Sequence, residues 1–172
     1  LLAPLLLDYQ VNHRVAERSG NRCDWASPHG VYRCKSDDRW CAITVMDEVQ
    51  WKSFCQVTGK PEWIADPMFA SLSQRKQNED SLDRQIELWT VERTPEEVME
   101  LMQGVDIPAG RVSNGQDLYC DPQLQTRGHF LAIDHPNIGK HSIEDAGFKL
   151  MRTPTPLPVA GPDMGQHNEY VF

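Results

Sequence analysis

The fold of this chain depends first on residues 30–59, GVYRCKSDDRWCAITVMDEVQWKSFCQVTG. Two runs rich in β-branched and aromatic residues, VYRCKS (31–36) and WCAITVM (40–46), are separated by a short polar break, a pattern typical of a β-hairpin. A helix is predicted directly afterwards, because Asp47 is a favourable N-cap and Gly59 a favourable stop. Its predicted apolar face consists of Trp51, Phe54, Cys55 and Thr58. A hairpin followed by an amphipathic helix indicates an α+β domain.

Two further helices are predicted in the middle of the chain. Residues 78–89 carry apolar side chains at i, i+4 and i+7, the spacing of one helical face. The segment TPEEVMELMQG (94–104) opens with the pattern of a capping box, in which Thr94 is the N-cap and Glu97 occupies N3. These helices and the hairpin predict a compact α+β centre.

The flanks of this centre have a different character. Residues 1–19 favour a helix that ends at Gly20, where a left-handed residue is expected. Beyond residue 104 the sequence is short-stranded and rich in Gly and Pro, without a long amphipathic helix. The opening LLAPLLL is too short to cross a bilayer and lacks the features of a signal peptide. Because it begins abruptly, we expect a further N-terminal part of the protein to precede it.

Composition excludes several classes of partner. The net charge is -8, and no basic stripe offsets it, which disfavours a nucleic-acid partner. The five cysteines are scattered and include no C-x-x-C pair, so reduced cytoplasmic thiols that pack as small core residues are favoured over a zinc site. His129, His135 and His141 recur every six residues; solvated loop histidines are the favoured interpretation, and a loop-borne metal cluster is the alternative. Glycine-rich phosphate loops and the G-x-S-x-G elbow are absent from the sequence.

The candidate site residues lie around the hairpin. Glu48, beside Asp47 at the junction of hairpin and helix, has two interpretations: a carboxylate stabilised only by the helix dipole, or one that points into a substrate cleft. Trp25, Ser27 and His29, in the turn before the hairpin, are candidates for lining such a cleft, although each is also an ordinary turn residue. The residues alone give no self-sufficient catalytic set.

Seven phrases stand in a fixed order along the chain. They are GNRCDWASPHGVYRCKSDDRWCAI (20–43), WKSFCQVTGKPEWIADPMFAS (51–71), R..N...LDRQIELWT (75–90), GVDIPAGRV (104–112), DPQLQTRGHF (121–130), GFKLMRTPTP (147–156) and AGPDMGQHNEYVF (160–172). Together they resemble the family III CoA-transferases (the CaiB/BaiF family), the group that contains formyl-CoA and carnitine CoA-transferases and α-methylacyl-CoA racemase. Each phrase is mainly structural, and their order and spacing carry the resemblance.

The resemblance implies a particular domain organisation. Residues 29–104 are expected to form a small α+β domain, an antiparallel hairpin or sheet with helices, inserted into a Rossmann-like large domain. Residues 1–28 are then the end of a large-domain segment and a linker, and residues 105–172 are the return linker and C-terminal large-domain segment. Two chains are expected to interlock as a homodimer. The N-terminal half is expected to be elsewhere, in the same protein or in a partner subunit.

The resemblance also implies a chemistry. Family transferases use an aspartate that attacks an acyl-CoA thioester, forming a mixed anhydride and then an enzyme-bound CoA thioester. The substrates are an acyl-CoA and a carboxylic acid, with coenzyme A as a substrate and no prosthetic group. That aspartate is expected in the N-terminal half, so no nucleophile is assigned here, and the chain alone is expected to be inactive. The expected location is the cytoplasm, with no membrane partner.

Two alternatives remain open: an acyl-CoA racemase, and a non-catalytic fragment for dimerisation or binding. In the racemase branch an acidic residue just before the small-domain helix lies near the active site, and it aligns with Glu48. Some transferases carry a glycine run before the hairpin, where this chain has CDWAS (23–27). Because Trp and Ser do not adopt the conformations open to glycine at low cost, a flexible glycine lid is not expected.

Overall fold

The predicted hairpin is present in the computed structural model, which describes residues 2–154 and 159–172. Strand β1 (His29–Arg33) pairs antiparallel with β2 (Trp40–Thr44), with Tyr32 opposite Cys41. A third strand, β3 (Ala109–Arg111), pairs antiparallel with β2 and completes a sheet of order β1-β2-β3. Strand residues alternate between the core and the surface, as expected for a sheet covered on one face. The mixed α+β class with antiparallel sheets is therefore confirmed.

The predicted helix after the hairpin is confirmed as α2 (Glu48–Val57). The side chain of Asp47 caps it by accepting hydrogen bonds from the backbone N–H groups of residues 49 and 50, at 2.9 and 2.8 Å. Its apolar face is buried, with Trp51 stacked on Phe54 at 5.7 Å between ring centroids and on Trp63 at 6.2 Å. These aromatic rings form the centre of the hydrophobic core.

The remaining helices of the first unit follow the same local signals. They are a 3-10 helix (Pro61–Ile64), α3 (Leu72–Gln77), α4 (Glu79–Thr90) and α5 (Pro95–Gln103). The capping box of α5 is confirmed, since Thr94 and Glu97 each bond the other's backbone N–H. Leu82, Ile86, Val98 and Met102 are fully buried, so α4 and α5 bury one face each in the core.

The N-terminal helix is shorter than predicted. Helix α1 spans Ala3–Asn12 instead of residues 1–19, and it ends at His13, which has a left-handed φ of 54°. Gly20 does adopt the expected positive φ of 63°, but in a turn beyond the helix. None of the helix's described side chains is buried, so its apolar residues gain no burial that would favour a longer helix.

The second compact unit, Ser113–Phe172, consists of short elements, as predicted. They are α6 (Gly115–Tyr119), α7 (Pro122–Thr126), the hairpin of β4 (Phe130–His135) and β5 (Gly139–Glu144), and α8 (Asn168–Val171). Among its described residues none is fully buried. Residues 155–158, of which the first two end the quoted phrase GFKLMRTPTP, lie outside the described residues. The first unit runs from Leu1 to Val112, and the division at 1–28, 29–104 and 105–172 stays a prediction.

The interpretation of the regularly spaced histidines as solvated loop residues is wrong for two of the three, since only His129 lies in a loop, directly before β4. His135 and His141 lie on β4 and β5, are half-buried, and have ring centroids 6.2 Å apart. A spacing of six residues places these histidines on no common face of a helix. The pairing of β4 with β5 nevertheless brings His135 and His141 together. Separately, across residues 2–154 and 159–172, no helix combines the length and apolar character needed to span a bilayer.

We predict that Gly30→Ala destabilises the first unit, because a Cβ at residue 30 would lie 3.0 Å from the Tyr32 hydroxyl. Moving that ring would disturb its 2.9 Å hydrogen bond to Asp83. The expected loss is about 1–3 kcal/mol of unfolding free energy, measured by urea denaturation. Gly110→Ala is the matched control in the same sheet, since a Cβ there meets no atom within 4 Å. Equal losses in the two variants would contradict this prediction.

Candidate functional site

Three segments of the chain meet at the side chain of Arg75, which extends from α3 and is 1% exposed. Its Nε donates to the Ser27 carbonyl at 2.9 Å, and its Nη1 donates to the Phe69 carbonyl at 3.1 Å. Its Nη2 and Nη1 donate to the two carboxylate oxygens of Glu48 at 2.8 and 3.2 Å. The guanidinium lies over the ring of Trp51, 4.5 Å from the centroid. The loop before β1, the start of α2 and the turn before α3 are therefore held by one group.

Glu48 is available for this pairing because Asp47 performs the capping. As the first residue of α2, Glu48 turns its carboxylate to Arg75 while its side chain stays 52% exposed. One side of the carboxylate therefore meets the guanidinium fork and the other is open to the surface. This is the bidentate geometry that makes Arg–carboxylate pairs strong and specific in direction. A role for Glu48 in catalysis stays a prediction.

The other three predicted site residues separate into two places. Trp25 is 58% exposed, and its ring packs edge-on against that of His29 at 5.8 Å. Ser27, which lies between these two residues in the sequence, is fully buried. Its backbone N–H donates to the Val45 carbonyl at 3.2 Å, and its own carbonyl accepts from Arg75. The structure thus brings Ser27 and Glu48 together at Arg75, and it places Trp25 and His29 against each other.

His29 borders a hollow of about 340 Å³ that runs between residues 19–22 and helix α4. Its Nδ1 donates to the Asn21 carbonyl. The neighbouring Arg22 binds carboxylates of α4, with Asp83 at 3.1 Å and Asp80 as a further partner. The hydrogen bond from Arg22 lowers the pKa of Asp80. These contacts hold the residues before β1 against the helix and keep the hollow in shape.

Two buried side-chain atoms among the described residues have no hydrogen-bond partner: Ser27 Oγ and Trp51 Nε1. Both belong to residues that contact the Arg75 guanidinium. Since most buried polar groups in folded proteins are paired, two such atoms around one buried charge mark a polar cluster within the core. The cluster is costly for stability, which is more typical of a functional site than of a structural core.

The buried cysteines are chemically inert in this environment. Burial raises the pKa of the Cys34 thiol to about 11 and those of Cys41 and Cys55 to about 12. A thiol must be deprotonated to act as a nucleophile or metal ligand. Within residues 2–154 and 159–172, no group of three or more His, Cys, Asp or Glu side chains is arranged to hold a metal ion.

Arg75 is the residue of this cluster that sequence reasoning missed. It lies in the phrase R..N...LDRQIELWT, but its partners Ser27 and Glu48 are 48 and 27 residues away. Local spacing does not connect such positions. The available signal was indirect: a single arginine one helical turn after Ser71, the N-cap of α3, in a segment bounded by apolar and aromatic residues.

Comparison with known proteins gives one consistent family. The model of CoA-transferase family III matches residues 1–168. The succinyl-CoA–D-citramalate CoA-transferase of Chloroflexus aurantiacus is 27% identical over 172 residues, which are 100% of this chain and 42% of that protein. A formyl-CoA:oxalate CoA-transferase of Rhodopseudomonas palustris is 27% identical over 158 residues, which are 90% of this chain and 37% of that protein. The chain thus spans less than half the length of these two relatives.

Among solved structures, a CaiB/BaiF family protein from Brucella suis matches the fold with a TM-score of 0.82. The match covers 99% of this chain and 43% of the other, at 20% sequence identity. At that identity the likeness is one of fold. It agrees with the sheet and helix order described above.

The raised thiol pKa values predict a graded reactivity toward Ellman's reagent at pH 8. The exposed Cys120 should react first and the half-buried Cys23 more slowly. The other three, Cys34, Cys41 and Cys55, should react only after denaturation, because they are buried and remain protonated. Cys120→Ser is the control and should remove the fast phase alone. Fast labelling of Cys55 in the native chain would contradict the burial described here.

Proposed function

Because the chain belongs to CoA-transferase family III, we propose that it contributes to an enzyme that moves coenzyme A between carboxylic acids through an acyl-CoA thioester. The substrates are an acyl-CoA donor and a free carboxylic acid, and coenzyme A acts as a substrate. The family match over residues 1–168 is the observation that carries the proposal. The two relatives named above as succinyl-CoA and formyl-CoA transferases support the same class of substrate.

The proposal places the attacking carboxylate outside these 172 residues. The buried thiols are protonated at neutral pH. Among the described residues, Ser27 Oγ has no hydrogen-bond partner that would act as a base. The carboxylate of Glu48 is bound through both oxygens. The chain spans 42% of the citramalate relative, so the remainder of such a protein is large enough to supply the nucleophile.

The role proposed for this chain is to close over the acyl part of the substrate. The small domain, residues 29–104, carries Glu48 with the open side of its carboxylate toward the substrate. Trp25 and His29 line the wall of the cleft, and the buried Ser27 supports that wall from within. Residues 1–28 and 105–172 join a Rossmann-like large domain in an interlocked cytoplasmic homodimer. Support comes from the half-exposed position of Glu48 and the exposed ring of Trp25, which are both accessible to a ligand.

The acyl-CoA racemase alternative assigns Glu48 a different task. There it belongs to the machinery that moves the proton α to the thioester. Both oxygens of Glu48 accept hydrogen bonds from the Arg75 guanidinium. That arrangement suits a carboxylate held in one orientation better than one that must move a proton, and it favours the transferase.

The test compares the 172-residue chain alone with the chain joined to the segment that completes the relatives' length. Each is incubated with succinyl-CoA or formyl-CoA and a free dicarboxylic acid, and the CoA esters are separated by chromatography. We expect transfer by the completed protein and none by the chain alone. A 2-methylacyl-CoA incubated in D2O should gain no α-deuterium.

Three results would contradict the proposal. Transfer by the 172-residue chain alone would place the nucleophile among these residues. Deuterium at the α-carbon without CoA transfer would assign the racemase activity instead. If the completed protein does neither, the non-catalytic binding fragment is the remaining interpretation.

A further inference from the structure

We propose that Arg75 is a positioning residue of this site: it fixes the direction of the Glu48 carboxylate and couples it to the loop that carries Trp25 and Ser27. The inference rests on the proposed function, because it assumes that the open side of Glu48 meets substrate. It goes further by assigning that geometry to a residue that would never contact the substrate itself. The assignment follows from the shape and burial of the guanidinium.

Arg75 restricts the conformational freedom of the Glu48 side chain. A half-exposed glutamate at the start of a helix would normally sample several rotamers. Here the planar guanidinium engages both of its oxygens, at 2.8 and 3.2 Å, and so fixes the plane of the carboxylate. Each carboxylate oxygen has two lone-pair sites. One side of the group is thus used by Arg75 and the other remains free to accept a hydrogen bond.

The guanidinium of Arg75 is itself held in a fixed position. Its remaining donors bind the Ser27 and Phe69 carbonyls, and its plane rests on Trp51. Each of these partners belongs to the ordered first unit, so the guanidinium has a fixed position from which to direct Glu48. A residue held this way imposes orientation on a site, which is the usual requirement for precise substrate placement.

Stability alone does not explain the arrangement. The guanidinium of Arg75 is buried but its partner Glu48 is 52% exposed, and neither buried nor half-exposed ion pairs contribute much net stability. Apolar residues of similar volume often serve as well or better at a buried position. The same guanidinium is flanked by the two partnerless buried atoms, Ser27 Oγ and Trp51 Nε1. A cluster that leaves such groups unsatisfied while fixing a half-exposed carboxylate fits a site in which geometry is maintained at some cost to stability.

Lysine does not reproduce this geometry. Its ammonium is a single point of charge with three donors, whereas Arg75 makes four hydrogen bonds to three groups in one plane. Arg75→Lys therefore keeps the charge near Glu48 and loses the fork. This variant therefore separates the effect of the positive charge from the effect of the orientation that the guanidinium imposes on Glu48.

The test is a double-mutant cycle on kcat in the completed protein, with Glu48→Gln, Arg75→Lys and the double variant. Each single change should lower kcat about ten-fold, equal to about 1.4 kcal/mol of barrier, with KM changed less than three-fold. Because Arg75 acts through Glu48, the double variant should be no slower than the slower single variant. Lys76→Met, on the same helix and paired with Glu79, is the control and should keep the wild-type kcat.

A second variant keeps the test decisive if Arg75→Lys folds poorly. Glu48→Asp retains the charge and Arg75 but draws the carboxylate back by one methylene. It should lower kcat while the melting temperature stays close to that of the wild type, since the altered side chain is half-exposed.

The outcomes distinguish a failure of the proposed function from a failure of the inference about Arg75. A completed wild-type protein with no CoA transfer contradicts the proposed function, and this inference falls with it. If the wild type is active but the double variant loses about a hundred-fold in kcat, the product of the two single losses, the inference is overturned while the proposed function stands. An unchanged kcat in Arg75→Lys and Glu48→Asp, with lower melting temperatures, also overturns it, because Arg75 would then support only the fold.

Discussion

The buried guanidinium of Arg75 is the constraint on which the rest of the first unit depends. A charge that is 1% exposed must find its hydrogen-bond partners within the chain, because water does not reach it. It finds them in Ser27, Glu48 and Phe69, which belong to three separate segments. The loop before β1, the start of α2 and the turn before α3 are consequently fixed relative to one another.

The aromatic core provides the surface on which this charge rests. Trp51 stacks on Phe54 and Trp63 within the core, and the guanidinium of Arg75 lies over its ring. A cation over an indole ring gains electrostatic stabilisation while the ring remains buried. Helix α2 thus serves two purposes: its middle anchors the core through Trp51, and its first residue, Glu48, meets the same guanidinium at the edge of the core.

Much of the fold could be predicted from the sequence because its signals are local. The hairpin, the Asp47 cap of α2 and the Thr94–Glu97 capping box each depend on residues within a few positions, and all three are present. The prediction for helix α1 is too long, since residues 13–19 are mainly polar and all of them are exposed. The length of a helix depends on tertiary burial as well as on its own residues, and tertiary burial is not visible in the local sequence pattern.

The candidate site was harder to predict, for the same physical reason. Glu48, Trp25, Ser27 and His29 were selected from their place in the sequence, and the structure separates them into an Arg75 cluster and a Trp25–His29 pair. Arg75 itself received no role, because its partners lie 48 and 27 residues away. A buried charge is recognised only when the tertiary partners that satisfy it are known.

The family and the geometry support complementary parts of the account. The match over residues 1–168 shows the family and supports the proposed CoA transfer, whose nucleophile the proposal places in the part of the relatives' length that this chain does not cover. The geometry supplies what the family match does not, namely a physical reason for the direction of Glu48. The direction assigned to Glu48 rests on the claim that one guanidinium holds three segments together.

Hydrogen–deuterium exchange on the 172-residue chain tests that claim most directly, with Arg75→Lys compared against the wild type. The account predicts that exchange accelerates together at the amides of Ser27, of the first turn of α2, and of Phe69 and Ala70. The hairpin amides of β1 and β2, which depend on their own ladder, should keep wild-type protection. Faster exchange confined to α3, or no change in any of the three segments, would contradict it.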